Sequence, residues 1–286
     1  MNCSHYIDQV SNIFVLSDSF LRIKELIDDE ASTIDDISEV IMLDPALAGT
    51  ILKLANSSFF NYPGKIDTIS KAVLVLGITE VYTLVIAHFT TEAFQSLNAS
   101  EEYLEQFWLK SVDCALLIKF LGSSLRVANS ERLFILGLLH NLGELVVQQV
   151  SPALVSECNS DESSELPWNK QKSVLGFSYA QCSAELLKQW QIPYSLFAPI
   201  RDQDEQGISQ YSMETQLLYI AKRAMIKSVT IDNEPMQAMS YEEFISSDVL
   251  AALGVDEDLL LNAVDYCQLE RMGMLSILCP SATMLF

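Results

Sequence analysis

Phe134-Ile135-Leu136-Gly137-Leu138-Leu139-His140-Asn141-Leu142-Gly143 sets a histidine behind an apolar run and closes on a second glycine. The chain has only 3 histidines, and an acid directly after this one would suggest a metal-dependent hydrolase. Asn141 stands there instead and offers a weak neutral carbonyl. The apolar run reads as the buried end of a helix, and Gly137 and Gly143 allow turns or close packing.

On either side the chain reads as all-α, because helical punctuation is frequent and strict strand-like alternation is scarce. Ser130 is placed to cap the helix that delivers His140, and Ser151-Pro152 to begin another. Glu101 to Leu121 makes the longest clear helix, with acids in its first turn and Gly122 as its stop; it carries Trp108, Lys110 and Ser111. Nearer the N-terminus, Thr33 with Asp36 resembles a capping box, and Ile34, Ile37, Val40 and Ile41 share one stripe. Asp44-Pro45 starts the next helix, whose inner face is Leu47, Ile51 and Leu54, and Asn56 bonds backbone at its end. A helix over Ile69–Leu76 stops at Gly77 in a left-handed turn, and Thr79 caps one through Val81, Leu84, Val85 and His88. Ala72 to Thr90 is the most apolar window, but Gly77 and Glu80 make it two short buried helices rather than a membrane span. His88 reads as a core or boundary histidine, and His5 as part of a frayed terminus.

Beyond the central stretch, Asn159 to Leu166 is an expected exposed loop. Ser178 caps a helix through Leu186, Leu187 and Trp190, and Pro193 opens the next. Asp202 to Gly207 is a polar break. A helix from Met213 to Lys227, a polar stretch from Thr230 to Ser240 and helices ending near Leu275 complete the chain.

At 286 residues and 50% hydrophobic, the chain can bury the core of one large domain or two ordinary ones. Its 38 acidic and 17 basic residues give a net charge of -21, which repels phosphate backbones and anionic lipid surfaces. Neither nucleic acid nor a membrane is therefore expected as a partner. Lys170 with Lys172, and Lys222 with Arg223 and Lys227, are sparse beside a phosphate-binding stripe. The 6 cysteines form no Cys-x-x-Cys pair, which leaves a zinc knuckle or redox dithiol without support and suits a reducing cytoplasm. Nothing at the N-terminus reads as a signal peptide. There is no Gly-rich phosphate loop and no Gly-x-Ser-x-Gly elbow, so no cofactor is expected.

Four motifs occur in order: Asp44-Pro45-Ala46-Leu47, Leu52 to Phe60 (LKLANSSFF), Ile69 to Gly77 (ISKAVLVLG) and Gly137 to Gly143 (GLLHNLG). Together they resemble the HDOD domain, the HD-related output domain of bacterial signalling proteins, over about residues 15–211. Residues 212–286 are then a C-terminal helical extension that packs on the bundle or completes it. The resemblance implies an HD-like helical bundle with an N-terminal helical subdomain. In hydrolytic HD relatives a histidine, a His-Asp pair and a later aspartate hold a divalent metal that activates water. At the matching places this chain has Lys110, His140-Asn141 and, after Ala221, Lys222. The further histidines of metal-rich relatives would fall near Tyr179 and near Arg201-Asp202-Gln203.

An ammonium has no lone pair to give a metal, and one imidazole does not make a hydrolytic centre. The resemblance and the missing donors together imply a non-catalytic signal-transduction module in the bacterial cytoplasm that acts on signalling proteins through protein contacts. Two alternatives are a metal-dependent phosphohydrolase and a sensor that binds an anionic nucleotide without turnover. For the sensor, the pocket residues would be Lys110, His140, Asn141, Tyr179 and Lys222. Both lysines are expected to point to solvent; the sharper alternative places them beside His140, in the metal's stead. Asp44, Pro45, Asn56, Ser57, Gly77, Gly137 and Gly143 read as residues that maintain the fold. With no receiver, kinase or cyclase signature present, the chain reads as a stand-alone module.

Overall fold

The computed structural model describes residues 2–11, 13–14, 16–29, 31–57, 60, 62–94, 97, 99–128, 130–160, 166–229 and 240–278. Val15, Ser58 and Phe59, residues 161–165 of the expected loop, residues 230–239 of the polar stretch and Cys279 lie outside the described residues. Every regular element among the described residues is helical. Two compact units form, one from residues 1–12 and 97–271, the other from 13–96 and 272–286. Residues 212–271 share a unit with His140.

The larger unit begins with α1 (Cys3–Val10), which is a capped and packed helix rather than a frayed end. Asn2 accepts from the His5 amide at 3.2 Å, Tyr6, Ile7 and Val10 are buried, and the Tyr6 ring meets Phe177 edge-on at 5.5 Å. Apolar residues one and four positions apart supply the buried stripe that holds it. His5 itself faces solvent.

The smaller unit holds α2 (Asp18–Asp28), α3 (Ile34–Met42), α4 (Pro45–Ala55), α5 (Ile69–Leu76) and α6 (Ile78–Ala93). Both arms of the Thr33–Asp36 capping box form, and Asp44 accepts from the amides of Ala46 and Leu47, each at 3.0 Å. Leu47, Ile51 and Leu54 are fully buried, and Phe20 packs edge-on against Phe89 at 5.7 Å. Ser57 donates to the Leu54 carbonyl at 2.6 Å. Asn56 does more than end a helix: its amide donates to the carbonyls of Leu52 (2.7 Å) and Ile66 (2.6 Å), and its oxygen accepts from Ile66 N–H (2.8 Å). One side chain thereby pins the loop after α4 to the helix it leaves. Gly77, at φ 93° and ψ 155°, is an extended mirror-image residue and not a left-handed stop. The chain turns by 119° there straight into α6, so Thr79 falls inside the first turn and caps nothing. His88 is half-buried, and burial lowers its pKa against the opposing charges of Asp44 and Glu92.

The rest of the larger unit comprises α7 (Glu101–Ser124), α8 (Glu131–Leu139), α9 (Leu142–Val150), α10 (Pro152–Cys158), α11 (Pro167–Leu175), α12 (Tyr179–Gln189), α13 (Tyr194–Asp202), α14 (Met213–Val229), α15 (Tyr241–Phe244), α16 (Ser247–Leu253) and α17 (Glu257–Leu278), whose residues from Met272 onward belong to the smaller unit. One expected boundary and one expected cap are corrected. α7 runs through Gly122 to Ser124, because Gly122 is a packing residue pressed against Leu133. Ser130 has helical dihedrals and makes no cap; its hydroxyl meets that of Ser123 at 3.0 Å. Arg132 to Val150 is long and apolar enough by composition to cross a membrane, yet 72% of that window is buried inside the protein and helix breaks at His140-Asn141 interrupt it.

Close backbone approach fixes where the central motif sits. A Cβ on Gly137 would lie 2.4 Å from Ala115 Cα in α7, and one on Gly143 would lie 2.2 Å from the Tyr179 carbonyl oxygen at the start of α12. Backbone cannot yield as a flexible side chain does. Gly137→Ala is therefore expected to cost about 1–3 kcal/mol. Gly49→Ala, in α4 with nothing within 4 Å, should be neutral or stabilising by up to about 1 kcal/mol. Urea midpoints of the two variants check the contrast, and equal midpoints would refute it.

The last helix is fastened to α7 by charge. Asp113, fully buried, pairs through Oδ1 with Arg271 Nε at 3.2 Å and accepts from Cys267 Sγ at 3.0 Å. Burial raises the Asp113 pKa, while the thiol bond and the guanidinium oppose that rise.

Candidate functional site

His140 caps the C-terminal end of α8 and is 2% exposed. Its Nδ1 lies 2.6 Å from the Gly137 carbonyl, so the neutral ring carries its proton there. The His140 carbonyl accepts from Gln203 Nε2 at 3.1 Å. Ser183 Oγ lies 2.9 Å from the Tyr179 carbonyl and 3.3 Å from that of His140, and accepts from Gly143 N–H at 2.8 Å. Gln203, where a relative's histidine would fall, thus holds the backbone of the central motif. Burial first, and the Lys222 charge second, push the imidazole pKa down to about 4, against the Gly137 bond and the Asp204 charge.

Lys222 is buried, contrary to the expectation that it points to solvent. On α14 its neighbours Leu218, Ala221 and Met225 are buried with it. Its Nζ donates to Asp204 Oδ2 at 2.7 Å, and the two side chains are 6% and 2% exposed. The neighbouring Arg223 guanidinium stacks 4.1 Å from the Trp168 ring centre and 3.5 Å from that of Tyr219. Its Nη1 sits 3.8 Å from Asp204 Oδ1, and Lys222 Nζ lies 4.6 Å over Trp168. The weak basic cluster read from the sequence is therefore not a surface feature: two of its cations are buried against one carboxylate and two aromatic faces. Burial lowers the Lys222 pKa, and Asp204 opposes that shift.

The other expected pocket residues lie elsewhere. Asn141 is half-buried and donates through Nδ2 to Glu144 Oε2 at 2.6 Å. Glu144 Oε1 also accepts from the Tyr103 hydroxyl (3.1 Å) and Asn159 Nδ2 (2.9 Å). Tyr179 belongs with this group: its phenol is 1% exposed, and burial, then the Glu144 charge, raise its pKa. Lys110 is exposed on α7 and joins neither group. Of the 5 residues read as a pocket, His140 goes with Lys222, Asn141 with Tyr179, and Lys110 faces solvent.

A divalent metal, the group the HD resemblance implies, does not fit these side chains. At position 222 an ammonium already holds the buried carboxylate, and the Asn141 amide is engaged with Glu144. Among the described residues no three His, Cys, Asp or Glu side chains converge. A cation placed beside His140 would meet a fixed positive charge and no anionic donor set. Asp204, Arg223, Trp168 and Glu144 are not among the site residues expected from the sequence. The apolar residues around Lys222 in α14 were a legible sign that this lysine is buried; nothing local marks Asp204 as its partner.

The HDOD domain family matches residues 13–206. A Treponema pallidum (strain Nichols) protein of uncharacterized function is 26% identical over 200 residues, 68% of this chain, and this chain spans 38% of that protein's length. A Shewanella amazonensis SB2B crystal structure with the provisional name phosphohydrolase superposes with a TM-score of 0.71 at 23% identity, covering 97% of this chain and 98% of that one. An HDOD domain protein of unknown function from Geobacter sulfurreducens gives 0.69 at 17% identity, with coverage of 96% and 97%. A Marinobacter aquaeolei VT8 protein provisionally named for signal transduction gives 0.68 at 22%, with coverage of 95% and 61%. Identities this low speak for the fold alone. With every described element helical and a family match over more than half its length, the chain belongs to the HDOD domain family.

Proposed function

We propose that this chain is a non-catalytic signal-transduction module that works in the cytoplasm through contacts with signalling proteins. The observation that carries the reading is the Lys222–Asp204 pair beside His140, an internal cation where hydrolytic relatives need donors for a metal. The described cysteines, all free thiols, suit a reducing compartment. Elemental analysis of the purified chain, with a panel of phosphate esters and cyclic dinucleotides assayed with and without manganese, tests it. The expected result is substoichiometric metal and no turnover, in the natural chain and equally in Asn141→Asp, since restoring one acid leaves Lys222 in place. Stoichiometric metal, with turnover that His140→Ala abolishes, would overturn the reading in favour of a metal-dependent phosphohydrolase.

One feature favours a second reading, an anion sensor. Lys222 and Arg223 bring two cations to a single carboxylate, Asp204. A nucleotide phosphate reaching them would meet net positive charge. That reading expects a nucleotide to raise the melting temperature of the chain, and the rise to vanish in Arg223→Gln.

A further inference from the structure

A groove away from His140 is formed by the end of the larger unit. α16 stops at Gly254, whose φ of 68° turns the chain sharply, and the Val255 amide returns to the Leu250 carbonyl at 2.9 Å. The turn sets α16 and the start of α17 as two walls. Tyr241 of α15 closes the end, its hydroxyl 2.9 Å from Ser228 Oγ. The space between measures about 530 Å³. Its floor is apolar and buried, made by Tyr241, Leu250, Val255 and Leu260. Its lip is exposed: Ala251 on one side, Asp256 and Glu257 on the other.

Charge narrows the choice of occupant. From Ser228 to Glu270 the sequence has 10 acidic residues and no lysine or arginine. Glu243, Asp248 and Asp258 are exposed beside the groove's own Asp256 and Glu257. One cation, Lys227, lies 5.0 Å over the Tyr241 ring and also acts on Glu243. A nucleic acid, an anionic lipid surface or a second copy of this chain at net charge -21 would be repelled. A basic segment carrying an apolar side chain meets both halves of the surface. The apolar residue displaces water from the floor, and flanking lysines or arginines meet the lip.

Building on the protein-contact reading above, we propose that this groove docks a basic peptide segment of the signalling partner, anchored by one large apolar side chain. Short random peptides displayed on phage, selected on the full chain and measured by fluorescence anisotropy, provide the test. Recovered peptides are expected to place leucine, methionine or phenylalanine between basic residues. Their affinity should fall at least about tenfold in Ala251→Trp, which fills the groove, and in Glu257→Lys, with no change in Glu39→Lys on the smaller unit. It should also weaken between about 0.15 M and 1 M salt. Circular dichroism melts of the three variants separate lost binding from lost fold. If the peptides bind Ala251→Trp unchanged, the groove is the wrong site, and the module reading stands on the other surfaces. If neutral peptides bind as well, or a small molecule copurifies with the natural chain and not with Ala251→Trp, the assigned occupant is wrong. Metal-dependent turnover, by contrast, would remove the module reading itself.

Discussion

Lys222→Met is expected to lower the unfolding free energy by about 3–5 kcal/mol, since removing one member of a buried ion pair leaves the other charged and unpaired. Methionine fills much of the lysine's volume, so little of the loss should come from packing. Asp204 would keep only the Arg223 guanidinium at 3.8 Å, too long for a hydrogen bond. The double variant Lys222→Met, Asp204→Asn should recover a large part of the loss, because no charge then stays buried without its partner. Thermal melts and urea titrations of the four combinations measure the coupling. If Lys222→Met melts with the natural chain, the pair does not hold the site. The same substitution removes the second cause of the low His140 pKa, so the imidazole should titrate at higher pH by NMR.

Acid should destabilise the protein through His140 itself. The folded imidazole titrates near 4 and the unfolded one near 6.5. Between those values the unfolded chain binds a proton that the folded chain does not, so stability falls as pH falls through this window. Above it the term vanishes, and below it the full cost of about 3 kcal/mol is present. His140→Gln removes the titrating group. It is expected to be less stable than the natural chain at neutral pH and to lose about 3 kcal/mol less on going from pH 7 to pH 4. Carboxylates titrate in both proteins, so the difference between the two slopes isolates the histidine. Parallel slopes would show that the imidazole is not held neutral.

The parts of the fold written in local sequence were the readable ones. Thr33 with Asp36, Asp44 with Pro45, and Ser178 are caps whose chemistry is complete within four residues, and each forms. Gly122 and Thr79 look like such signals and lie inside helices, and Ser130 precedes α8 without bonding to it. Whether a glycine stops a helix or admits a neighbouring leucine depends on what packs there, and Leu133 decides it for Gly122. The site divides in the same way. Family resemblance placed His140, Asn141 and Lys222, because flanking residues anchor those positions. It could not separate Lys110 from Lys222, although one lies in solvent and the other in the core. Their helices could have done so, since the residues three and four positions from Lys222 are Leu218, Tyr219, Met225 and Ile226, whereas those around Lys110 include Gln106 and Asp113. Asp204 stayed illegible: Asp202, Asp204 and Glu205 look alike in a polar loop, and only the tertiary fold turns one of them inward.

The fastening of α17 to α7 bears on where this domain can be cut. The family signature ends at residue 206, yet the cations that neutralise its buried acids come later, Lys222 and Arg223 for Asp204 and Arg271 for Asp113. A fragment trimmed to the signature would keep both carboxylates in the interior and discard every partner named for them. The stretch by which the family is recognised is thus shorter than the stretch that must be synthesised for its charges to balance.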